Sequence, residues 1–300
     1  MSGITYDSSP SWCGRCFAPV RGVHIVAQIH PTATVDAKAE LADDAVIGPQ
    51  CVIDGPAVVG PECRLIGSVY LSGKVTLGRC NVVYPFVTIG FEPQDRKYDA
   101  SMPSAGVAVG DNNMIREGVT IHRASDPDAP TRIGNDNFLM CNSHLGHDVQ
   151  VGNHCTLANS ALLGGHCTMA DQVNIGGNSA AHQFCRIGRL GMLGGHSALV
   201  NDLPPFVLAS GFNQAISLNV VGLRRSGVAP ATIDSLKSAF DILYLSQHTR
   251  PIAIERIGQL IKESTNGTEL LCEFKQFLES INDRGLVPHI STQQKHKLTR

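Results

Sequence analysis

The sequence is poor in charged and aromatic residues. Only 17% of its 300 residues are charged, 5% are aromatic, and the formal net charge is −2. A chain so close to neutral offers no general electrostatic attraction to nucleic acid or to an anionic membrane surface. It also lacks any apolar run approaching the roughly 18 residues that a membrane-spanning helix needs, and it shows no signal peptide. We therefore expect a cytoplasmic protein without a nucleic-acid partner and without stable membrane insertion.

Apolar residues recur about every two residues in a strand and about every 3.6 residues in a helix. Neither period is sustained in this sequence. Instead, an aliphatic or small apolar residue returns at every sixth position. These repeat positions are Ile29, Val35, Leu41, Ile47, Ile53, Val59, Leu65, Leu71, Leu77, Val83, Ile89, Val109, Ile115, Ile121, Ile133, Leu139, Leu145, Val151, Leu157, Leu163, Met169, Ile175, Ala181, Ile187, Leu193 and Leu199. This period predicts a hexapeptide-repeat parallel β-helix, whose narrow interior suits the low aromatic content.

The repeat divides the chain into four segments. Residues 1–28 lack it and are interpreted as an N-terminal extension, and residues 29–205 form the predicted solenoid. Residues 206–284 carry helical periodicity and are expected to form a helical domain that covers the open end of the last coil. Residues 285–300 are polar and are expected to be a flexible tail.

Two breaks, at residues 91–106 and 123–132, interrupt the repeat. Loops that leave a rigid solenoid often carry function. Glycine directly follows several repeat residues, as at Gly60 and Gly152. We expect these glycines at sharp corners, where a positive φ is required.

Half of the ten cysteines share one place in the repeat, four residues after a repeat position, where other hexads carry alanine, valine or serine. They are Cys51, Cys63, Cys155, Cys167 and Cys185. We expect small buried thiols there, as in a reduced protein. Cys13 and Cys16 form an isolated pair without the second pair that a zinc knuckle needs, so they are interpreted as free thiols.

The histidines cluster, and His147 and His166 lie about one coil apart, on one edge of the predicted prism. Three interpretations remain open. The rings could satisfy turn backbone, or hold zinc as in a γ-class carbonic anhydrase, although the histidine spacing differs from that family. A neutral imidazole oriented by Asp148 could also act as a general base at neutral pH.

The sequence resembles the cytosolic UDP-N-acetylglucosamine acyltransferases that begin lipid A synthesis, over roughly residues 29–284. The matching segments are Gln94-Asp95-x-Lys97-Tyr98, Ile115-Arg116-Glu117-x-Val119-Thr120-Ile121-His122-Arg123, His144-x-x-His147-Asp148, Ile175-Gly176-Gly177, Ala181-His182-Gln183-Phe184-Cys185, Asp202-x-Pro204-Pro205 and Asn219-x-x-Gly222-Leu223-x-Arg225. The resemblance implies a left-handed β-helix and a homotrimer with active sites between neighbouring prisms. It implies transfer of a 3-hydroxyacyl chain from acyl carrier protein to the sugar 3-hydroxyl, with no cofactor or metal.

The resemblance also assigns residues. His147 matches the family's general base, Asp148 its supporting neighbour, and Gly165 the backbone N–H that stabilises the oxyanion. Gly195 matches a position that limits acyl length, where glycine leaves a deep pocket suited to a long chain. The substrate-binding positions implied in this way are Asp95, Lys97, His122, His144, His166, His182, Gln183, Asn219 and Arg225.

Departures from the family pattern concern the nucleotide-facing rim. Val221 stands where the family usually has an acidic residue, and Ser226 replaces the second of two arginines. Residues 211–215 lack a histidine that the family often uses near the nucleotide. A related enzyme acting on another nucleotide sugar, for example an amino-substituted one, therefore stays an alternative, as do the zinc enzyme and a non-catalytic solenoid.

Overall fold

A computed structural model describes residues 26–281 and 283–289 of the chain. Within them, 28 short strands precede four helices, and successive strands fall in turn into three sheets. Most strands pair in parallel with the strand one coil away, as Val46 pairs with Arg64 and Val52 with Tyr70. The predicted parallel β-helix is confirmed. Cys13 and Cys16 lie outside the described residues.

The three sheets form the faces of the prism. Sheet A contains β1 (Gln28–Ile29), β4 (Val46–Ile47), β7 (Arg64–Leu65), β10 (Val82–Val83), β13 (Met114–Ile115), β16 (Phe138–Leu139), β19 (Thr156–Leu157), β22 (Asn174–Ile175), β25 (Met192–Leu193), β27 (Val207–Ala209) and β28 (Ala215–Leu218). Sheet B contains β2 (Thr34–Val35), β5 (Val52–Asp54), β8 (Tyr70–Ser72), β11 (Thr88–Phe91), β14 (Thr120–His122), β17 (His144–Leu145), β20 (Leu162–Leu163), β23 (Ala180–Ala181) and β26 (Ala198–Leu199). Sheet C contains β3 (Glu40–Leu41), β6 (Val58–Val59), β9 (Val75–Leu77), β12 (Val107–Val109), β15 (Thr131–Ile133), β18 (Gln150–Val151), β21 (Thr168–Met169) and β24 (Arg186–Ile187).

The repeat residues form the core. From Ile47 to Leu199, none of them is more than 3% exposed. Each buried Leu, Ile or Val contributes about 1.5–3 kcal/mol relative to an exposed one, so the stacked rows supply most of the driving force for folding. Ile29, Val35 and Leu41 are less buried because they belong to the first described coil, which has a neighbouring coil on one side only among residues 26–281.

The glycines that follow repeat residues serve another purpose than the one expected. Gly60 does not have a positive φ; a Cβ there would meet the carbonyl oxygen of Gly78 in the next coil at 2.5 Å. The left-handed conformation falls two residues later, on residues with side chains such as Glu62 (φ 58°). The expectation about φ was therefore wrong: close approach between coils requires glycine, while the corner accepts many residue types.

The five cysteines of the small slot are buried, unpaired thiols, as expected. Desolvation raises the pKa of Cys63 to about 11 and that of Cys155, Cys167 and Cys185 to about 12. The Cys155 thiol donates to the carbonyl oxygen of Ala170 at 3.1 Å. These thiols fill the interior and are inert in the folded protein.

The same slot holds a polar ladder in the middle of the solenoid. The Asn113 amide donates to Oδ1 of Asn81 at 3.0 Å, and the Asn137 backbone N–H donates to Oδ1 of Asn113 at 2.9 Å. All three side chains are buried. Because each rung meets its neighbour's hydrogen-bonding needs, the polar row is tolerated inside the prism.

Both breaks occur at the same corner of the prism, where the chain passes from sheet B to sheet C. The first loop connects β11 to β12 and the second connects β14 to β15. Across the first loop, Val82 pairs with Met114, and across the second, Thr120 pairs with His144. The additional residues are therefore extruded at this corner, and the coils above and below stay in register.

Stacking continues beyond residue 205, because β27 pairs in parallel with β25 before β28 turns back antiparallel. The helices that follow are α1 (Val220–Arg225), α2 (Pro230–Tyr244), α3 (Arg250–Glu263) and α4 (Thr268–Glu279). Arg186 binds the fully buried Asp202 and also donates to Ser280 at the end of α4. Arg189 binds Glu273 on α4, so two arginines fasten this helix to the last coils. Among the described residues, no helix is long and apolar enough to cross a bilayer.

Residues 285–289 are not a flexible tail. Leu286 bridges Asp202, and His289 bridges Ala215, so this segment continues the hydrogen bonding of the last coil. The polar composition of residues 285–300 suggested fraying, but Val287 is fully buried and Leu286 packs against the core, so the start of this segment is held by apolar contacts as well as by hydrogen bonds.

The raised thiol pKa values predict alkylation behaviour. At about pH 8, Cys63, Cys155, Cys167 and Cys185 of the folded protein should react with iodoacetamide at least ~100-fold more slowly than in urea, because burial removes the thiolate. The half-buried Cys272 is the internal control. Peptide mass spectrometry over time measures each site, and slot cysteines that react as fast as Cys272 in the native protein would contradict the assignment.

Candidate functional site

Most of the predicted site residues gather along the corner between sheets B and C, here called the B–C edge. This is also the corner from which both loops leave. Successive coils contribute one group after another along it: Asp95 and Lys97 from the first loop, His122 from β14, His144, His147 and Asp148 from β17 and its turn, Gly165 and His166 after β20, and His182 and Gln183 after β23.

His147 and Asp148 form a buried pair. Nδ1 of His147 lies 2.6 Å from Oδ2 of Asp148, and each residue is 9% exposed. Because an ionised carboxylate only accepts hydrogen bonds, Nδ1 carries the proton and donates it to Asp148. In the neutral form of the ring Nε2 is therefore the nitrogen without a proton, which is the tautomer that a general base requires.

The second loop holds the Asp148 carboxylate. Ser125 donates its hydroxyl to Oδ2 at 2.5 Å and its N–H to Oδ1 at 3.0 Å, and the Asp126 N–H donates to Oδ1 at 3.1 Å. Burial alone would raise the pKa of Asp148, but the hydrogen bonds from Ser125, His147 and Asp126 outweigh it and lower the pKa. The carboxylate is thus ionised and fixed in orientation against His147.

Gly165 faces the other side of the His147 ring. A Cβ on Gly165 would lie 2.7 Å from Nε2 of His147, so any larger residue would collide with the imidazole. Gly165 is buried, and within the described residues its N–H has no hydrogen-bond acceptor. A buried N–H without a partner is uncommon, and beside a basic nitrogen it offers a donor for a developing oxyanion.

A second pair of histidines lies nearby. The rings of His122 and His144 are 5.2 Å apart. Nδ1 of His122 lies 2.5 Å from the carbonyl oxygen of Glu92 in the first loop, and Nδ1 of His144 lies 2.7 Å from Thr120 Oγ1. Burial, with a smaller contribution from His122, lowers the pKa of His144 to about 4, so this ring is neutral at neutral pH and is able to donate and accept hydrogen bonds.

The first loop is fastened at its base and exposed at its tip. Arg123 pairs with Glu92 at 2.7 Å, and its guanidinium lies over the Tyr98 ring. Asp95 and Lys97 are exposed at the tip, where the Lys97 N–H donates to Oδ1 of Asp95 at 2.9 Å. The loop therefore presents a carboxylate and a cation to solvent, and its base contacts His122.

Three predicted site residues lie elsewhere. Gly195 is exposed at the corner between sheets A and B, and its nearest neighbour to an added Cβ is the carbonyl oxygen of Gly177 at 3.5 Å. Asn219 is the N-cap of α1: its amide donates to the Leu190 carbonyl, and its Oδ1 accepts the Gly222 N–H. The side chain of Asn219 thus has a structural function here, whereas Arg225 is exposed in the last turn of α1.

His147, Asp148 and His166 present ligand atoms within 4.8 Å of one another, which raises the zinc interpretation again. Nε2 of His166 lies 3.6 Å from Oδ2 of Asp148. The Asp148 oxygens, however, already accept hydrogen bonds from Ser125, Asp126 and His147. A metal would have to displace these donors, so the donor set does not fit zinc.

Two residues that hold Asp148 were not identified from the sequence, Ser125 and Thr131. The Thr131 Oγ1 accepts the backbone N–H of Asp148 at 2.8 Å. Both lie within the second break, where the six-residue repeat does not predict which way a side chain points. The available signal was the break itself, since a loop leaving the same corner as His147 must pass close to it.

Removal of the Ser125 hydroxyl should destabilise the protein through Asp148. Ser125→Ala should lower the free energy of unfolding at pH 7 by about 1.5–3 kcal/mol, the value of a hydrogen bond to a charged group. Because the pKa of Asp148 is lowered in the folded state, this stabilisation is present above the ordinary aspartate range and is lost as pH falls through the folded value. Urea unfolding from pH 7 downward measures it.

Ser125→Thr, which keeps the hydroxyl, is the matched control. If the loss of unfolding free energy in Ser125→Ala stays the same when the pH is lowered below about 4, where aspartate titrates, Asp148 does not have this role.

Comparison with known proteins agrees with this geometry. Residues 202–287 match the family described as UDP-N-acetylglucosamine O-acyltransferase, domain 2, and residues 130–165 match bacterial transferase hexapeptide repeats. The chain is 42% identical over 261 residues to an acyl-[acyl-carrier-protein]–UDP-N-acetylglucosamine O-acyltransferase of Thermodesulfovibrio yellowstonii, covering 86% of this chain and 98% of the relative. A relative with the same name from Saccharophagus degradans is 40% identical over 237 residues, covering 78% and 91%.

Solved structures give the same result. The UDP-N-acetylglucosamine O-acyltransferase of Moraxella catarrhalis superposes with a TM-score of 0.81 at 37% identity, covering 86% of this chain and 99% of the other. The Francisella novicida UDP-N-acetylglucosamine acyltransferase gives 0.83 at 31% identity, covering 89% and 96%. Sequence and structure agree over nearly the whole length of these relatives, and the chain therefore belongs to the acyl-[acyl-carrier-protein]–UDP-N-acetylglucosamine O-acyltransferase family and is an enzyme of this type.

Proposed function

We propose that this protein transfers a 3-hydroxyacyl chain from acyl carrier protein to the 3-hydroxyl of UDP-N-acetylglucosamine, the first step of lipid A synthesis. The observation that carries the proposal is the arrangement around His147. Nε2 of His147, which has no proton in the neutral ring oriented by Asp148, lies beside the buried N–H of Gly165, and this N–H has no acceptor among the described residues. Acyl transfer to a hydroxyl requires these two elements side by side.

In the proposed mechanism, Nε2 of His147 takes the proton of the sugar hydroxyl as its oxygen attacks the thioester carbonyl. The carbonyl oxygen becomes an oxyanion, which the Gly165 N–H stabilises, and Asp148 stabilises the imidazolium that forms. When the tetrahedral intermediate collapses, the carbon–sulfur bond breaks and His147 returns its proton to the leaving thiol. The products are the sugar ester and the free carrier thiol, with no cofactor.

The remaining groups of the B–C edge suit the acceptor. His122 and the neutral His144 offer hydrogen bonds to sugar hydroxyls, and Lys97 offers a cation for the diphosphate. His166, His182 and Gln183 extend this polar surface by one and two coils. The nucleotide-facing rim differs from the family pattern at the exposed Val221, where the family has an acidic residue, and at Ser226. An amino-substituted nucleotide sugar is therefore the second candidate acceptor.

The proposed assembly is a homotrimer in the cytoplasm. Gly195 and His147 lie at different corners of one prism. An acyl chain can extend from His147 to Gly195 only if the B–C edge of one subunit faces the corner between sheets A and B of a neighbouring subunit. A cyclic trimer provides this arrangement. Free buried thiols support the reducing compartment.

The base assignment predicts a large loss of rate without a loss of structure. His147→Ala should lower kcat by at least two orders of magnitude, the usual contribution of a general base, while the oligomeric state is kept and the melting temperature falls by no more than in Ser125→Ala, which loses another hydrogen bond to the same carboxylate. An acyl-transfer assay combined with a thermal melt tests this. If the variant retains activity within threefold of the parent, His147 is not the base.

The exposure of Gly195, where an added Cβ would meet Gly177 only at ordinary contact distance, predicts a preference for long acyl chains. In an assay with 3-hydroxyacyl carrier proteins and a panel of UDP-sugars, the 3-hydroxymyristoyl donor should exceed the 3-hydroxydecanoyl donor. Gly195→Met should reverse this preference by about tenfold or more, because several methylenes of depth are lost. Equal or better use of the shorter donor by the parent would refute the role of Gly195, and the same panel identifies the acceptor.

A further inference from the structure

Four side chains form a continuous stack along the B–C edge. The His147 and His166 rings meet edge to face with centroids 5.0 Å apart. The Phe184 ring lies flat on His166, with centroids 4.5 Å apart and planes 4° from parallel. The Arg284 guanidinium lies over the Phe184 ring at 5.9 Å. The stack therefore connects the proposed base to the C-terminal segment.

The position of Phe184 is not explained by core packing. The side chain is 46% exposed, in a chain with few aromatic residues, and it occupies the corner site where φ is positive (66°). It also lines a cavity of about 450 Å³ together with Val200, Asn201, Asp283 and Arg284. The flat contact with His166 is the most specific interaction that the ring makes.

The C-terminal segment supports the stack from its far end. The Asn201 amide, on the same corner one coil beyond Gln183, donates to the Arg284 carbonyl oxygen, and the Asp202 N–H donates to the Gly285 carbonyl at 2.9 Å. These bonds hold the Arg284 backbone beside the edge. The guanidinium is therefore kept over the exposed aromatic ring, where a cation is attracted by the π face.

His166 is the member of the stack with a consequence for chemistry. Its Nε2 points to Oδ2 of Asp148 at 3.6 Å, too far for a strong hydrogen bond. No hydrogen bond within the described residues fixes the ring, so rotation about its side-chain bonds would move both nitrogens. The stacking partner on its face is what restricts that rotation.

We propose that Phe184, covered by Arg284, is a positioning residue that fixes the His166 ring edge-on to the His147–Asp148 pair and thereby presents Nδ1 of His166 to the acceptor. This inference rests on the proposed function. It assigns Phe184 no contact with the reacting atoms. Its effect on the reaction passes through His166 alone, which makes the proposal separable from a direct substrate contact.

The first test uses the full-length protein without substrate. Phe184→Leu removes the flat ring and should be tolerated by the backbone, because Leu190 occupies the equivalent corner position with φ 56°. Phe184→Tyr keeps the ring. In NMR spectra of protein labelled at histidine, His166→Gln identifies the His166 ring signals. We expect these signals to be shifted upfield in the parent and the tyrosine variant, and to move toward random-coil positions in the leucine variant.

The second test is a double-mutant cycle on acyl transfer. Phe184→Leu should lower kcat/KM for the UDP-sugar by about three- to tenfold in the parent, mainly through KM. In the His166→Gln background the same change should cost less than twofold, because the group through which Phe184 acts is already absent. Phe184→Tyr should restore the parental value.

The outcomes are distinct. Equal losses in both backgrounds would show that Phe184 contacts substrate directly, and unchanged His166 signals in the leucine variant would show that the ring does not position it; either result overturns the proposal. If the parent transfers no acyl chain to any UDP-sugar, the proposed function fails, while the NMR comparison still decides whether Phe184 holds His166.

Discussion

The structure depends on one constraint, the register between neighbouring coils. Each short strand forms its hydrogen bonds with the strand one coil away, so every coil must present the same inward positions at the same places. A coil that contains additional residues can keep this register only by extruding them at a corner. Both extrusions occur at the B–C edge, and the strands on either side still pair, as Val82 does with Met114.

The same constraint builds the proposed catalytic arrangement. Because coils stack about 4.8 Å apart, a side chain at one corner lies against the backbone of the next coil at the same corner. His147 and Gly165 are related in this way, which places the proposed base beside an N–H that has no acceptor in the described part of the chain, without any flexible connection. The extruded second loop then returns to hold Asp148 with Ser125 and Asp126. Rigidity comes from the coils, and fine orientation comes from the loops.

Much of the fold could be read from the sequence because inward positions recur at a fixed interval. The interval located the strands, the buried repeat residues and the small slot of Cys155 and its equivalents. It failed where the backbone itself makes the contact. Glycine is required at position 60 because a carbonyl of the next coil lies too close for a Cβ. Residues 285–289 form backbone bridges with the end of the solenoid, far away in the sequence. Periodicity records side-chain burial and carries no information on such approaches.

The sequence by itself determined the scaffold, the edge that carries His147 and His166, and the family resemblance of the motifs. Only the tertiary structure decided that both loops leave from that edge, that Ser125 holds Asp148, that Asn219 caps a helix, and that Gly195 lies at another corner. The physical reason is that hydrogen bonds and ring contacts depend on direction and distance between residues far apart in the chain. A linear repeat fixes which residues point inward, but the position of an outward side chain is set by the neighbours it meets.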